Sequence, residues 1–236
     1  MQTKKRYTKL KRLLFVLLIL IITFFTYVEI ANSNSKNMTY RQKVLKAAYP
    51  ALMWWTKLTG KNTKALSGTK APPVSFYTQK GILINGDTID FSSLKGKKVL
   101  LVNTASDCGY TKQYDDLQKL SEEYKDKLIV LGFPANDFKE QEKGTDKEIA
   151  EFCKANFGVT FPLMQKSSVI KSSQQNTIFQ WLTEPFKNGW NDKAPTWNFS
   201  KYLVNEKGIL TNYFDPSVSP LSESVKQAIE LTDITK

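Results

Sequence analysis

One stretch constrains the chain more than any other: Lys98-Lys-Val-Leu-Leu-Val-Asn-Thr-Ala-Ser-Asp-Cys108-Gly-Tyr-Thr111. Val99 to Val102 is a short apolar, β-leaning run of the kind that fills a central strand covered on both faces. Thr104, Ser106 and Asp107 then break the run and offer capping side chains to the segment Lys112 to Asp126. There Tyr114, Leu117, Leu120 and Tyr124 recur at helical spacing. Cys108 is thereby expected where a strand ends and a helix begins. Unpaired backbone N–H groups and the positive end of the helix dipole gather at such a point, and both favour a thiolate.

The net charge of +12 resides in one part of the chain. Residues 1–72 carry 14 Lys and Arg against the single acid Glu29, and residues 73–236 carry 20 against 21. The later part is near neutral, which removes the basis for a nucleic-acid partner and leaves a membrane partner for the basic third. The chain holds no histidine. Histidine-based acid–base catalysis, Ser/His and Cys/His nucleophile pairs and imidazole metal sites are all excluded. Two cysteines are too few for a disulfide framework or a four-cysteine zinc site.

Met1 to Arg12 is a basic leader with six Lys and Arg, followed by the uncharged run Leu13 to Val28. The pattern fits a spanning anchor or a signal peptide cut after Ser33, and the length with Ile30 and the snorkelling of Lys11 and Arg12 favours the anchor. More basic residues precede the run than closely follow it, so the N-terminus is expected in the cytoplasm and the remainder outside it. Cleavage would instead give a secreted or periplasmic protein. Met38 to Leu58 is a basic amphipathic segment with Trp54 and Trp55, read either as an interfacial helix or as a helix docked on the domain. Lys57 to Pro73 reads as a linker. The expected organisation is residues 1–33 as leader and anchor, 34–72 as amphipathic helix and linker, and 73–236 as the catalytic domain.

From Val74 onward strands and helices alternate. Val74–Tyr77, Ile82–Ile84 and Thr88–Phe91 read as strands around the Asn85-Gly86 turn, and Leu128–Phe133 as another. Thr145-x-x-Glu148 is a capping box that opens a helix running to about Phe157, with Gly158 past its end. Phe161–Met164 reads as a strand and Asn176–Thr183 as a helix. Tyr202–Val204 and Leu210–Phe214 flank Asn205-Glu-Lys-Gly208 as a hairpin, and Ser222–Leu231 is the closing helix. This order, with a cysteine after an early strand, points to an α/β thioredoxin-like fold: a central mixed sheet flanked by helices, with an N-terminal hydrophobic helix.

A thiol–disulfide exchanger on such a fold carries Cys-x-x-Cys, but Thr111 stands at the second position. Cys108 is left to react alone, and a peroxide O–O bond suits a lone thiolate, which it converts to a sulfenic acid. A tethered disulfide reductase is disfavoured by Thr111, and a tethered copper chaperone by the lack of histidine.

Four motifs in order resemble the glutathione peroxidase family over residues 73–233: Val102-Asn-Thr-Ala-Ser-Asp-Cys108-Gly-Tyr-Thr, Gly132-Phe-Pro-Ala-Asn-Asp-Phe-Lys-Glu-Gln141-Glu-Lys-Gly144, Phe157-Gly-Val-Thr-Phe-Pro162 and Trp197-Asn-Phe199. Taken singly, Trp197 is an ordinary core aromatic and Gln141 an ordinary surface amide; the joint pattern overrides both. The resemblance implies a tetrad of Cys108, Gln141, Trp197 and Asn198, whose amide and indole N–H groups stabilise the sulfur anion. It also implies peroxidase activity on hydrogen peroxide and organic or lipid hydroperoxides, without a cofactor. Ala135, Asp137 and Lys143 depart from the common family pattern, and Asp137 puts tuning of the site in question.

Cys153 lies on an apolar stripe with Ile149, Phe152 and Phe157, so by itself it is a core residue. Its place in Glu151-Phe-Cys153 matches the resolving cysteine of members that resemble thioredoxin-dependent peroxidases, which implies a Cys108–Cys153 disulfide re-reduced by thioredoxin or a similar thiol donor such as glutathione. A peroxide sensor passing its disulfide to a partner would use the same residues. The short segment from Thr183 to Trp197 lacks the insertion of tetrameric members, which implies a monomer with an open site.

Overall fold

The computed structural model describes residues 2–231; the expected domain end at residue 236 lies outside them. The apolar run Val99 to Val102 expected at the centre lies in the seven-residue strand β4 (Lys98–Thr104), which is buried along its whole length. It pairs in parallel with β5 (Leu128–Pro134) and antiparallel with β6 (Lys201–Val204). Beyond β6 lie β7 (Leu210–Phe214) and β1 (Ala65–Ser67), so the mixed sheet runs β1-β7-β6-β4-β5. Alternation along β4 sends Leu100 and Val102 into one core cluster and Val99 and Leu101 into the other. Each face therefore needs its own apolar cover, which is why the run is continuous rather than alternating.

The first face is covered by α3 (Gln113–Glu123), α4 (Asp146–Phe157) and α7 (Glu223–Glu230), through Leu117, Leu120, Ile149, Phe157 and Ile229. The second is covered by α5 (Thr177–Thr183) together with Phe76, whose ring lies 5.1 Å from both Phe91 and Trp181. A short α6 (Pro185–Asn188) follows α5. A small hairpin of β2 (Lys80–Ile82) and β3 (Thr88–Asp90) closes through Asn85-Gly86, with Gly86 at φ +92°. The expected strand at 74–77 is instead a 3-10 turn, Phe76–Thr78, capped by Ser75. At 161–164 only single bridges form, Leu163 to Gly132 and Met164 to Leu83, since Pro162 lacks the N–H a ladder needs.

The N-terminal third departs most from expectation. Helix α1 (Gln2–Ala31) is exposed along Leu10–Phe25, and Lys9–Ala31 is long and apolar enough to cross a membrane. Helix α2 (Tyr40–Thr59) runs through Pro50 and is closed by a Thr39/Gln42 capping box and by Gly60 at φ +67°. Its end nearer α1 is tied down: Asn32 donates to the carbonyls of Val28 and Lys43, Tyr27 to that of Ala47, and Lys43 pairs with Glu29 at 2.9 Å. Of the two readings left open for α2, docking is the one seen: Tyr49 joins the core cluster that contains Cys108, and Leu52 and Met53 pack against it. Trp54, Trp55 and Leu58 stay exposed on the other side. The stretch expected as a linker contains β1, so the sheet begins before residue 73.

Candidate active site

Cys108 lies in the turn between β4 and α3. The helix begins at Gln113, and its N-cap residue Lys112 makes no side-chain bond, so Thr104, Ser106 and Asp107 do not cap it as expected. What shapes the turn is Thr111, whose hydroxyl accepts from the Cys108 N–H at 3.0 Å and donates to the Ala105 carbonyl at 2.9 Å. The residue that stands in place of a second cysteine thus holds the turn around the first. The Tyr110 N–H points at Cys108 Sγ at 3.4 Å.

Two more segments converge on this turn. The loop after β5 is braced by Asn136, which accepts from the Glu142 N–H at 2.8 Å, and it presents Gln141. The Gln141 carbonyl accepts from the Asp107 N–H at 3.0 Å. Lys139 and Glu140 both sit in the left-handed region there, at φ +53° and +52°. The turn before β6 presents Trp197 and Asn198, and Phe199 follows at φ +68°, a strained value for an aromatic residue. That turn is held by Asn103 of β4: its side chain donates to the Trp197 carbonyl at 3.1 Å and accepts from the Ser200 N–H at 2.9 Å. Asn198 Nδ2 donates to Gln141 Oε1 at 2.9 Å, while Asn198 Oδ1 is buried without a partner. Phe138 and the Lys139 ammonium lie against the Trp197 ring at 5.6 and 5.7 Å.

Cys108, Gln141, Trp197 and Asn198 are therefore assembled in one place from three chain segments. The side chains of Asn198 and Trp197 adjoin the sulfur and, with the Tyr110 N–H and the charge of Arg41, favour its anion. Gln141 reaches the sulfur only through Asn198, not by donating to it. Burial outweighs these groups and pushes the Cys108 thiol up, so the thiolate expected at a helix N-terminus is not favoured in this closed arrangement. The open site expected is not present either. Cys108 is 2% exposed, with α2 packed across the turn, and a Cβ on Gly109 would come 3.0 Å from Leu52 Cδ2. A cavity of about 660 Å³ lies beside the turn, lined by Lys36, Gln42, Ser106, Asp107, Gln141 and Phe152 among others, but Cys108 itself does not line it.

Cys153 stands apart from the four. It is fully buried on α4, its thiol pushed up to about 12 by burial, and both cysteines are free. Asp137 accepts from Ser168 Oγ and the Val169 N–H at 2.9 and 2.7 Å, so it staples two loops rather than tuning the sulfur. Glu142 went unnoticed in the sequence; it is buried, accepts from Ser106 Oγ at 2.6 Å, and its carboxyl is pushed up to about 7 by burial. Asn103 and Arg41 went unnoticed too. Asn103 had a signal, a polar residue inside an apolar strand; Arg41 had none.

A cysteine beside amide and indole groups, at the strand-to-helix corner of a thioredoxin-like sheet, places the chain among the thioredoxin-fold thiol oxidoreductases. The family model described as glutathione peroxidase matches residues 76–183. The chain is 44% identical over 156 residues to the glutathione peroxidase homolog BsaA of Staphylococcus epidermidis, covering 66% of this chain and 94% of that protein. It is 41% identical over 149 residues to the glutathione peroxidase-like peroxiredoxin 2 of Saccharomyces cerevisiae, covering 63% and 91%. The crystal structure of Trgpx in apo form superposes with a TM-score of 0.51 at 32% identity, over 67% of this chain and 97% of that one. A DsbF homologue from Corynebacterium diphtheriae, at 17% identity and a TM-score of 0.50 over 72% and 92%, shares the fold. This chain belongs to the glutathione peroxidase family and is a peroxidase of the oxidoreductase class.

Proposed function

We propose that the chain is a membrane-tethered thiol peroxidase that reduces hydrogen peroxide and organic or lipid hydroperoxides. The observation that carries this reading is the placement of Asn198, Trp197 and the Tyr110 N–H around a lone Cys108, with a hydroxyl at position 111 where exchange chemistry needs a thiol.

The Cys108 thiol gives up its proton, the thiolate attacks one peroxide oxygen, the O–O bond breaks, and that proton goes to the departing oxygen to give water or an alcohol. Cys108 is left as a sulfenic acid. Asn198 Oδ1 accepts the O–H of the hydroperoxide in this scheme, a role supported by its being buried without a partner. The Trp197 and Asn198 N–H groups stabilise the sulfur anion before attack and the negative oxygen after it. Cys153 then condenses with the sulfenic acid, releasing water and forming a disulfide, which thioredoxin or a similar dithiol reduces by exchange. Since Cys153 is buried on a helix capped at both ends, resolution requires α4 to open locally.

The apolar span Lys9–Ala31 anchors the chain, with the N-terminus in the cytoplasm and the peroxidase as a monomer outside it. Intact mass before and after one equivalent of hydrogen peroxide tests the scheme. Loss of two hydrogens in the parent protein and gain of one oxygen in Cys153→Ser are the expected results. An unchanged mass in the parent overturns it.

A further inference from the structure

The first turn of α2 is bolted to the residues on the N-terminal side of Cys108. Arg41 forms an ion pair with the Asp107 carboxylate and donates to the Asp107 carbonyl at 3.3 Å. Gln42 donates to the Ser106 carbonyl at 3.2 Å. One turn of helix thus grips two consecutive peptide groups immediately before the reacting sulfur. We propose that Arg41 is a positioning residue of the peroxidase reaction: paired with Asp107, it fixes the Cys108 turn and brings a permanent positive charge to the sulfur. The amphipathic helix is then a working part of the active site as well as a connection to the anchor. The proposal rests on the reading of Cys108 as the nucleophile.

The charges around the turn single out Arg41. The turn itself carries Asp107, Tyr110 and Lys112; α2 brings Arg41, Lys46 and Tyr49; α3 brings Tyr114, Asp115 and Asp116, and α4 brings Glu148, Glu151 and Cys153. The loop after β5 brings Lys139, Glu140 and Glu142, and the Trp197–Phe199 turn brings no charge. Of the charged side chains among these, Arg41 is the one that pulls the Cys108 thiol down. In a chain without histidine, a guanidinium is a durable source of that field, because it stays charged at every working pH. The Asp107 carboxylate holds the guanidinium in place through one oxygen, while the second, Asp107 Oδ1, is buried without a partner. Arg41 also lies outside residues 76–183, the stretch that the family model matches. The charge comes from this chain's own N-terminal segment.

The test uses the full chain in detergent micelles and follows Cys108 by mass spectrometry. Two quantities are read: the pH midpoint of alkylation by iodoacetamide, and the second-order rate constant for a single turnover with hydrogen peroxide. Arg41→Gln is expected to raise the midpoint by about half a pH unit, a shift smaller than that of a fully desolvated pair because the guanidinium is half exposed. Its rate constant near neutral pH is expected to fall about threefold or more. Arg41→Lys keeps the charge and is expected to hold the midpoint of the parent. Gln42→Ala loosens the same turn without touching a charge, and is expected to leave the midpoint in place. A midpoint in Arg41→Gln equal to that of the parent overturns the proposal, as does an equal shift in Arg41→Lys or Gln42→Ala. Failure of the underlying reading looks different: Cys108→Ser would still consume peroxide.

Discussion

Asn198 donates its side-chain N–H to Gln141 Oε1 at 2.9 Å, so the amide that adjoins Cys108 is oriented by a second amide that does not touch the sulfur. The two residues act in series, and their substitutions should not add. Asn198→Ala is expected to slow the reaction of Cys108 with hydrogen peroxide about a hundredfold, the cost of losing one donor to developing charge. Gln141→Ala should cost less, and the double variant should resemble Asn198→Ala alone. Stopped-flow single-turnover rates on the three variants check this; additive losses would mean that Gln141 contacts the peroxide independently.

Cys153 is the residue whose role rests most on motion. Cys153→Ser is expected to retain the first reduction of peroxide and to lose multiple turnover with thioredoxin, accumulating Cys108 as sulfenic and then sulfinic acid. Cycling with thioredoxin at the parent rate would make Cys153 a core residue only. Coupled turnover assays with thioredoxin and with glutathione, followed by mass spectrometry of Cys108, separate the outcomes.

Glu142 sets a pH dependence of stability. Its carboxyl is pushed from an ordinary value of 4.5 up to about 7 by burial, so the folded state holds a proton that the unfolded state releases between those values. Stability from this group therefore falls as pH rises through that window, by about 3 kcal/mol at most. Glu142→Gln keeps an acceptor for Ser106 and removes the titration. Urea unfolding at about pH 5 and about pH 8 should show a smaller loss in the variant than in the parent.

Truncation separates tether from domain. Removing residues 1–31 takes away α1 and should leave peroxide turnover in place. Removing 1–72 also strips β1 from the sheet and Tyr49 from the core, and should cost about 2–4 kcal/mol from lost apolar burial alone. Thermal unfolding of the two truncated proteins checks the difference; equal melting temperatures would make α2 and β1 passengers.

The catalytic part of the fold was legible wherever one local signal decided the outcome. The apolar run at β4, the Asn85-Gly86 turn, the Thr145/Glu148 capping box and the hairpin at Asn205–Gly208 each specify structure within a few residues, and each forms as read. What was not legible depends on distant partners. Residues 65–67 pair with β7 although their composition is that of a linker, because an edge strand needs little more than a free ladder beside it. Docking of α2 turns on Tyr49 and Leu52 meeting a surface that sequence does not display. The motifs name four residues that the structure brings together, while the bonds that place them are not legible: Asn103 and Thr111 act through backbone carbonyls and N–H groups, which no pattern records. The direction of the Cys108 shift is not legible for the same reason, since burial in the assembled core outweighs the local donors.

The pairing of β1 with β7 also dictates a timetable. Ala65 faces Phe214, and the contact continues as Asp215 N–H donates to the Lys64 carbonyl and Ser217 N–H to that of Asn62, at 2.8 and 2.9 Å. A ribosome delivers residue 65 long before residue 214, so the first strand must wait, unpaired, until nearly the whole nascent chain has emerged. The central strand β4 likewise lacks its β6 neighbour for about a hundred residues of synthesis. Vectorial folding from the N-terminus is thus closed to this chain. Its sheet is completed from the far end, and until then an apolar β4 and a waiting edge depend on whatever holds unfinished chains apart.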